Sequence, residues 1–440
     1  MKRSLLDDLL RWKQRAGRKP LILEGARQVG KTYLLQAFGR EHYKNVVYVN
    51  FDRIDPDIAE LFVGSVEPAR IVDFLAIKYS TVVEPHDTLI IFDEVQELPR
   101  ALASLKYFAE EAPEYHIVAA GSLLGVTLHP GTSFPVGKVD FLRLEPLSFE
   151  EFCQVSGLAD KMEYTRKDID RNDVFKTEFT DALWQYMAVG GMPRAVVEWL
   201  ETKNMAAVDE VLQGILTAYR NDFSKYTDPA RAERMNYVWQ SIPSQFAKES
   251  SRFLYGAARP GARAREYELS IAWLVDAGLV RKVHAVSRGD QLPLSAYKDL
   301  QAFKLYLLDV GLLRVLSELP AGDLIGASDL FSQFKGMFAE QFVLQQLADR
   351  TLYYWTSGAQ SKVDFIAQLS GRIVPIEVKS GDNVKAKSLR VYREKYRPEL
   401  AVRFSMKDIA YDDGLMNIPL CEIWLFDELL KKHAPTNITH

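Results

Sequence analysis

The chain has 440 residues, of which 48% are hydrophobic and 26% are charged. This composition is typical of a soluble globular protein, and roughly two to four domains are expected because a single core rarely serves so long a chain. The formal net charge of -4 excludes a general attraction to nucleic acid or to an anionic membrane, so such binding would have to come from local patches. Cys153 and Cys421 lie far apart and match no metal spacing, which favours a reducing compartment over a disulfide framework.

The opening segment, residues 1–20, places charged residues every few positions among apolar ones. This pattern predicts an amphipathic helix rather than a signal peptide. No uncharged apolar run is long enough to cross a bilayer, and the histidines form no His-x-x-x-His pair that would suggest a zinc site. A cytoplasmic protein without membrane contact is therefore expected.

The octapeptide GARQVGKT, which runs from Gly25 to Thr32, fits the phosphate-loop pattern G-x-x-x-x-G-K-[S/T]. An apolar strand over residues 20–23 precedes it and a helix-forming run over residues 33–38 follows it. Glycines let the backbone curl around phosphate oxygens, with the amides pointing inward and the helix dipole behind them. Lys31 is expected at the β- and γ-phosphates and the Thr32 hydroxyl at Mg²⁺. The predicted nucleotide-contacting residues are Gly25, Ala26, Arg27, Gln28, Val29, Gly30, Lys31, Thr32 and Tyr33. The alternative is a chance Gly/Lys turn before a helix.

Two apolar strands follow, at residues 45–51 and 88–92, and the second runs into Asp93 and Glu94. An apolar strand that ends in adjacent acids is the Walker B arrangement. Asp93 is then expected to hold Mg²⁺ through its water shell, and Glu94 to orient and polarise the attacking water. The alternative is a buried strand that ends in a solvated acid pair.

A fourth strand, residues 115–120, ends in Gly121 and Ser122. Ser122 is a candidate to hydrogen-bond the γ-phosphate or the attacking water, although a plain turn serine has the same spacing. Strands that alternate with helices predict a doubly wound parallel sheet, with the nucleotide at its carboxyl edge.

From about Leu147 the pattern becomes helical, with a Gly-Gly-Met-Pro-Arg run at residues 190–194 that also reads as a plain connection between two helices. Residues 232–283 then predict short helices and a strand, as in a winged helix. A basic edge there could contact nucleic-acid phosphates, or could be a solvated helix face interleaved with acids. The basic residues are Arg252, Arg259, Arg263 and Arg265, and the interleaved acids are Glu249, Glu266 and Glu268.

Near the carboxyl end, Glu340 falls on a predicted helix, and Asp364 and Glu377 fall on two strands joined by a hairpin. Period-two alternation puts Glu377 and Lys379 on one face of the second strand. Three carboxylates at a sheet edge are suited to hold one or two Mg²⁺ or Mn²⁺ ions for phosphodiester hydrolysis, and the lysine beside them to stabilise charge or help activate water. The alternative is a solvated hairpin with alternating charges. A basic run follows, which could track nucleic acid or be a solvated helix face; it comprises Lys385, Lys387, Arg390, Arg393, Lys395 and Arg397.

Several runs resemble AAA-type ATPases related to the archaeal ATPases and signal-transducing NTPases: GARQVGKT, IIFDEVQ, AAGSLLG, FPVGKVDFLRLEPLSFEEF and GGMPRAV. The resemblance implies the roles given above for the phosphate loop, Asp93, Glu94 and Ser122. It also implies that Met192 and Pro193 pack on the nucleotide base from a helical lid. Arg143 and Arg194 are candidates for an arginine supplied in trans.

The runs YYW, VDF, PIEVKSG and KSLRVY resemble a prokaryotic family that joins such an ATPase to a PD-(D/E)xK nuclease-like domain. Lys362 departs from the resemblance, because many relatives have an acid just before Val-Asp-Phe. A cation there would reduce the local negative charge and hence the metal affinity.

The expected architecture is an α/β P-loop NTPase with a helical lid, a winged-helix domain and a restriction-endonuclease-like α/β domain. The expected boundaries are an ATPase core at 1–150, a lid at 151–226, a winged helix at 227–300, a linker at 301–330 and a nuclease-like domain at 331–440. The first hypothesis is an ATP-driven switch that controls a metal-dependent nuclease. The alternative is a signalling or scaffold NTPase whose nuclease-like domain binds nucleic acid or protein without cleavage. ATP is expected rather than GTP because no Asn-Lys-x-Asp motif occurs; DNA is expected ahead of RNA, and a homo-oligomer is compatible with this scheme.

Overall fold

The computed structural model describes residues 1–122, 135–169, 174–248, 250–325, 332–357, 361–369, 371–381 and 387–433. The chain forms two compact units. The first contains Met1–Pro146 and Asp276–Leu279, and the second contains Leu147–Val275 and Val280–His440.

The first unit is built around a parallel sheet of apolar strands. The strands are β1 (Leu21–Glu24), β2 (Asn45–Asn50), β3 (Thr88–Asp93), β4 (His116–Ala120) and β5 (Asp140–Arg143). Their order is β2-β3-β4-β1-β5, and each neighbouring pair is parallel. The helices are α1 (Leu5–Gln14), α2 (Lys31–His42), α3 (Pro56–Leu61), α4 (Pro68–Lys78) and α5 (Pro99–Glu111). The predicted α/β fold with a parallel sheet is confirmed, and β5 is a strand that the sequence reading missed.

The pattern of apolar residues matches the burial seen in the strands and helices of this unit. Every residue of β3 is buried, as expected for a central strand covered on both faces. In α1, Leu9 and Trp12 are buried while acids lie in the first turn and bases in the last, which suits the helix dipole. The predicted amphipathic helix at the start of the chain is thus confirmed.

The second unit begins with helices and continues into a mixed sheet. The helices before the sheet are α6 (Phe149–Cys153), α7 (Ala159–Lys167), α8 (Lys176–Val189), α9 (Pro193–Thr202), α10 (Met205–Tyr226), α11 (Pro229–Ala247), α12 (Tyr255–Ala258) and α13 (Ala264–Asp276). The later helices are α14 (Val310–Leu316), α15 (Ala321–Ile325), α16 (Ser332–Gln346), α17 (Lys387–Tyr396) and α18 (Phe426–His433).

The strands of the mixed sheet are β6 (Val280–Val286), β7 (Lys298–Leu307), β8 (Leu352–Thr356), β9 (Lys362–Leu369), β10 (Arg372–Val378), β11 (Ala401–Ser405), β12 (Ala410–Asp412) and β13 (Leu415–Pro419). Their order is β12-β13-β11-β10-β9-β8-β6-β7. Strands β8, β9 and β10 are antiparallel neighbours, and β11 pairs with β10 in parallel.

The expected linker at 301–330 is corrected by this sheet. Strand β7 crosses the expected boundary at 300, and α14 and α15 follow within the same segment. The reason is that β7 pairs along its length with β6, and β6 pairs in parallel with β8 through His284 and Tyr353. Strand β6, which falls within the expected winged helix, therefore belongs to the same sheet as the strands near the carboxyl end. The other expected boundaries stay predictions.

Three glutamines of α16 fasten this helix to its surroundings. Gln341 accepts from the Leu307 amide at 3.0 Å and donates to its carbonyl at 2.7 Å. Gln345 accepts from the Val310 amide at 3.0 Å, and Gln346 accepts from the Phe149 amide at 2.6 Å. Because buried amides need partners, these bonds fix the position of α16, which also carries Glu340.

Hydrogen bonds to Asp309 hold the turn between α8 and α9 in place. The buried Asp309 carboxylate accepts from the Gly191 amide at 2.6 Å and from Gln345 Nε2 at 3.0 Å. A Cβ on Gly191 would lie 2.1 Å from the Leu147 carbonyl oxygen, so this close approach requires glycine.

Candidate functional site

The phosphate loop lies between the end of β1 and the start of α2, as predicted. Gly25, Gln28 and Gly30 have positive φ angles of 148°, 68° and 97°, so the backbone curls sharply before the helix. A Cβ on Gly25 would lie 2.3 Å from the Leu144 carbonyl oxygen, which excludes any larger residue without a backbone shift. Of the remaining predicted loop residues, Ala26 and Val29 are buried, while Arg27 and Tyr33 are exposed.

Lys31 points back into the loop. Its Nζ donates to the Gly25 carbonyl at 2.8 Å and to the Ala26 carbonyl at 2.9 Å. Burial lowers the pKa of Lys31 to about 8, against the opposing effect of Glu94 and Asp93. The ammonium is therefore held inside the curl of the loop, where phosphate oxygens can replace the two carbonyls as its acceptors.

Thr32 and Asp93 meet although they are far apart in sequence. Thr32 Oγ1 donates to Asp93 Oδ2 at 2.7 Å, and Tyr48 Oη donates to the same oxygen at 2.8 Å. Burial, followed by the hydrogen bond to Asp93, raises the pKa of Tyr48 to about 12. A hydroxyl and a carboxylate side by side are oxygen donors of the kind that Mg²⁺ prefers, so the residues fit the expected metal.

Tyr48 is a site residue that the sequence reading missed. It lies on β2, whose register places Asn50 opposite Asp93 of β3. No motif marks a tyrosine in that strand. Only the parallel pairing of β2 with β3 could have brought it into consideration.

Glu94 and Ser122 also lie together. Glu94 takes the left-handed conformation, with φ 51° and ψ 43°, at the point where the chain leaves β3. Its Oε2 accepts from Gln96 Nε2 at 2.6 Å and from Ser122 Oγ at 3.5 Å. The structure thus brings Lys31, Thr32, Asp93, Glu94 and Ser122 to one end of the parallel sheet. Residues 123–134, which include the end of the AAGSLLG run, lie outside the described part of the chain.

Met192 and Pro193 belong to the second unit, where Met192 is buried and Pro193 begins α9. Their expected contact with a nucleotide base stays a prediction. Arg143 pairs with Glu145 at 3.0 Å, and Arg194 is exposed on α9. Their candidacy as an arginine supplied in trans is untested.

The acids near the carboxyl end converge as predicted, but lysines lie among them. Lys362 Nζ lies 3.0 Å from Glu340 Oε1 and 3.4 Å from Asp364 Oδ1. Lys304 Nζ lies 3.2 Å from Glu340 Oε2, and Tyr306 Oη donates to that oxygen at 3.0 Å. Burial alone would raise the pKa of Glu340, but Lys304 and Lys362 outweigh it and hold that pKa well below its usual range.

Glu377 belongs to the same group of side chains, which we call the acid–lysine cluster. Its members are Lys304, Glu340, Lys362, Asp364, Glu377 and Lys379. Glu377 Oε1 lies 2.7 Å from Lys379 Nζ, so the predicted shared face of these two residues is confirmed. Asp364 Oδ2 accepts from the Val378 amide at 2.9 Å. Burial, with repulsion from Asp364, raises the pKa of Glu377 to about 7 despite Lys379. Glu377 Oε2 is buried and has no hydrogen-bond partner.

The expected metal site of Glu340, Asp364 and Glu377 stays a prediction. Within the residues that the structure describes, no group of three or more His, Cys, Asp or Glu side chains is arranged to hold a metal ion. The Lys362 ammonium lies between Glu340 and Asp364 and supplies a positive charge there. Lys304 and Tyr306 were not predicted; their alternation on β7 is the signal that could have found them.

Several residues of the predicted basic run on α17 contact acidic or aromatic side chains of the protein itself. Arg393 Nη2 lies 3.1 Å from Asp413 Oδ2, Arg390 pairs loosely with Glu394 at 3.6 Å, and Lys395 lies over the Trp355 ring.

Lys385 falls outside the described residues, as does Glu249 beside the other basic edge. At that edge Arg252, Arg259, Arg263 and Arg265 are exposed, and their contact with nucleic acid stays a prediction. Across the described ranges, no helix combines the length and apolar character needed to span a bilayer.

Three solved structures are among those similar to this chain. The Walker-type ATPase of Pyrococcus abyssi is 16% identical over 72% of this chain and 95% of its own, with a TM-score of 0.45. The Orc1 protein of Aeropyrum pernix, solved in complex with DNA, is 18% identical over 71% and 90%, with a TM-score of 0.28. AMPPCP-bound DnaA from Aquifex aeolicus is 15% identical over 62% and 86%, with a TM-score of 0.26.

Comparison with protein families divides the chain into three matched segments. Residues 17–153 match the model of an AAA domain. Residues 180–323 and 335–423 match two models, each described as a domain of unknown function. No curated protein matches the chain. The match at 17–153, the parallel sheet and the loop geometry agree, and the chain carries an AAA-type P-loop ATPase domain in its first unit.

Proposed function

We propose that the ATPase domain binds ATP with Mg²⁺ and hydrolyses it at the carboxyl end of its parallel sheet. The observation that carries this proposal is the 2.7 Å hydrogen bond between Thr32 and Asp93. In P-loop ATPases a loop hydroxyl and a Walker B acid hold the magnesium ion together, and these two side chains are already in contact.

In this proposal, the phosphate loop binds the nucleotide. Its backbone amides and the start of α2 provide an anion site, and Lys31 supplies a positive charge inside it. On binding, Lys31 Nζ exchanges its bonds to the Gly25 and Ala26 carbonyls for bonds to the β- and γ-phosphates. The magnesium ion would be held by Thr32 and, through water, by Asp93, where it would neutralise charge on the phosphates.

Hydrolysis requires a base or a positioning group for the attacking water. Glu94 fills this role in the proposal, because its carboxylate is held by Gln96 and lies beside Ser122. Ser122 then contacts the γ-phosphate or the water. The experiment for the binding step is ATP titration by calorimetry of the wild type, Lys31→Ala and the exposed control Lys106→Ala. Loss of binding in Lys31→Ala alone supports the proposal, and unchanged binding in that variant contradicts it.

For the domain near the carboxyl end, we propose a nuclease-like module that binds nucleic acid without cutting it. Lys362 favours this reading because its ammonium pairs with both Glu340 and Asp364. Oxygen ligands that already neutralise a lysine have less affinity for a divalent cation. ATP binding and hydrolysis would then change the nucleic-acid affinity, which requires that the module differs in binding energy between nucleotide states.

A metal-dependent nuclease is the second candidate, and one observation favours it. Glu377 Oε2 is buried without a hydrogen-bond partner, and such orphaned oxygens are costly unless a ligand satisfies them. Glu340, Asp364 and Glu377 would hold Mg²⁺ or Mn²⁺ in that case, after Lys362 has moved away, with Lys379 beside them. The lysine would then stabilise the negative charge that develops on the phosphate.

One assay separates these two candidates. Plasmid DNA is incubated with the protein and Mg²⁺ or Mn²⁺, with and without ATP, and the products are compared with those of Asp364→Ala. Cleavage by the wild type that Asp364→Ala abolishes establishes the nuclease and contradicts the binding module. Binding without cleavage in gel-shift experiments, with an affinity that differs between ATP and ADP, supports the module and its coupling to the ATPase.

A further inference from the structure

A cavity of about 740 Å³ opens in the second unit, and its lining residues include none of the acid–lysine cluster. It lies between the end of α11, the short helix α12, the start of α13 and the hairpin of β6 and β7. The Phe253 amide donates to the Phe303 carbonyl at 2.6 Å, which holds the loop before α12 against β7. Ligand pockets commonly measure about 300–1,000 Å³, so this cavity is of nucleotide size.

Aromatic rings form the floor of the cavity. Phe253 and Phe303 are stacked, with ring centroids 5.6 Å apart and an interplanar angle of 11°. Tyr255 lies edge-on to Phe253 at 5.1 Å and is half-buried. At the rim, Leu300 is 67% exposed. Tyr255 and Leu300 therefore offer apolar contact to a base or a sugar.

Positive charge lines the walls. The cavity is lined by Lys248, Arg252 and Lys282, with Glu268 as the acid among its lining residues. None of the three cations forms an ion pair with any residue in the described ranges. This local excess of positive charge stands out because the chain as a whole has a formal charge of -4.

Lys282 is the central cation of this cavity. It is half-buried on β6, and its Nζ lies 4.0 Å from the centroid of the Phe303 ring. Burial lowers the pKa of Lys282, and Lys298 lowers it further while Glu268 opposes the change. An ammonium that is removed from water and lacks a carboxylate partner gains most from an anion placed beside it.

We propose that this cavity binds a nucleotide unit of single-stranded nucleic acid, with a backbone phosphate held by Lys282 and Arg252 and the base or sugar against Tyr255 and Leu300. A concave site of this size admits one unstacked nucleotide, whereas a duplex cannot enter it. Cations beside aromatic side chains are the combination that single-strand binding uses. The inference deepens the proposed function, on which it rests for the choice of nucleic acid as ligand.

The test measures the fluorescence anisotropy of a labelled oligothymidine with the full chain and four variants. The variants are Lys282→Met, which keeps the aliphatic stem over Phe303, Arg252→Gln, the double variant, and the control Lys203→Met. Lys203 is matched because its ammonium also lies over an aromatic ring, that of Trp199 at 5.0 Å. Each lost contact to phosphate should weaken binding about tenfold and reduce the salt slope by about 0.7. Lys203→Met should bind as the wild type does.

The outcomes are distinct. If the wild type and the double variant bind oligothymidine with the same affinity and the same salt slope, the proposed site is contradicted. A wild type that binds free nucleoside monophosphate through Lys282 and Arg252, but not the oligothymidine, would overturn the assignment to a strand. ATP hydrolysis by the same preparations is measured in parallel. Failure of hydrolysis with binding intact would count against the ATPase proposal alone.

Discussion

Thr32 Oγ1 donates a hydrogen bond of 2.7 Å to Asp93 Oδ2, and this contact joins the start of α2 to the end of β3. The two residues are expected to share one magnesium ion. Thr32→Val keeps the shape of the side chain but removes the oxygen. We expect the Mg²⁺ concentration for half-maximal ATP hydrolysis to rise roughly tenfold to a hundredfold, because one oxygen of the metal environment is lost.

Thr217→Val is the matched control for this substitution. Thr217 lies exposed on α10, where its hydroxyl bonds only within the helix, to the Gln213 carbonyl. This variant should keep the wild-type dependence on Mg²⁺. The account of Thr32 fails if Thr32→Val and Thr217→Val give the same metal titration curve.

Lys362 should control access of metal ions to the acid–lysine cluster. Lys362→Met removes the ammonium that lies between Glu340 and Asp364 and leaves two buried carboxylates facing each other. We expect the variant to bind Mn²⁺ more tightly than the wild type, by electron paramagnetic resonance titration, and to be stabilised against thermal unfolding by Mn²⁺. Lys395→Met, which removes an ammonium over Trp355, serves as control. Identical Mn²⁺ binding in the wild type and Lys362→Met would show that the lysine does not occupy the metal position.

Glu377 should make stability depend on pH. Its pKa is near 7 in the folded chain against an ordinary value of 4.5, so the folded state holds the proton more tightly than the unfolded state. Raising the pH from about 4.5 to about 7 therefore lowers the free energy of unfolding, and this group adds no further change above that window. Glu377→Gln removes the titration. Urea midpoints of the wild type should fall more than those of Glu377→Gln between about pH 5 and about pH 8; parallel falls would contradict the raised pKa.

Two glycines of the second unit should respond oppositely to alanine. Gly191 leaves no room for a Cβ, which would lie 2.1 Å from the Leu147 carbonyl oxygen, so Gly191→Ala should destabilise by about 1–3 kcal/mol. Gly214 lies exposed on α10 with nothing within 4 Å of its Cβ position. Gly214→Ala should therefore stabilise by about 0.5–1 kcal/mol through helix propensity. Denaturant midpoints measure both, and a neutral Gly191→Ala would show that the turn is not tightly packed.

The ATPase domain could be predicted from sequence because its signals are local. The strand, the GARQVGKT loop and the following helix are contiguous, and the acids that follow β3 are adjacent in the chain. Tyr48 could not be predicted, since its contact with Asp93 depends on the register between β2 and β3. Strand β5 is short and its residues alternate between half-buried and exposed, so it lacks the apolar run that marks the other strands.

Only part of the acid–lysine cluster could be predicted from the sequence. Alternation along β9 and β10 was enough to predict that Asp364, Glu377 and Lys379 approach one another. Alternation on β7 marks Lys304 as one of a set of residues on one face, but its place beside the acids depends on the pairing of β7 with β6 within the sheet. For the same reason, the sequence predicts a linker at 301–330, although this segment contains most of the paired strand β7.

The most direct measurement of the central claim is steady-state, Mg²⁺-dependent ATP hydrolysis by the wild type and Glu94→Gln, with Glu111→Gln as an exposed control. Glu94→Gln keeps the shape of the side chain but cannot accept a proton from the attacking water. The account predicts that its turnover falls about a hundredfold or more while ATP binding and the control remain as in the wild type. Equal turnover in the wild type and Glu94→Gln would contradict it.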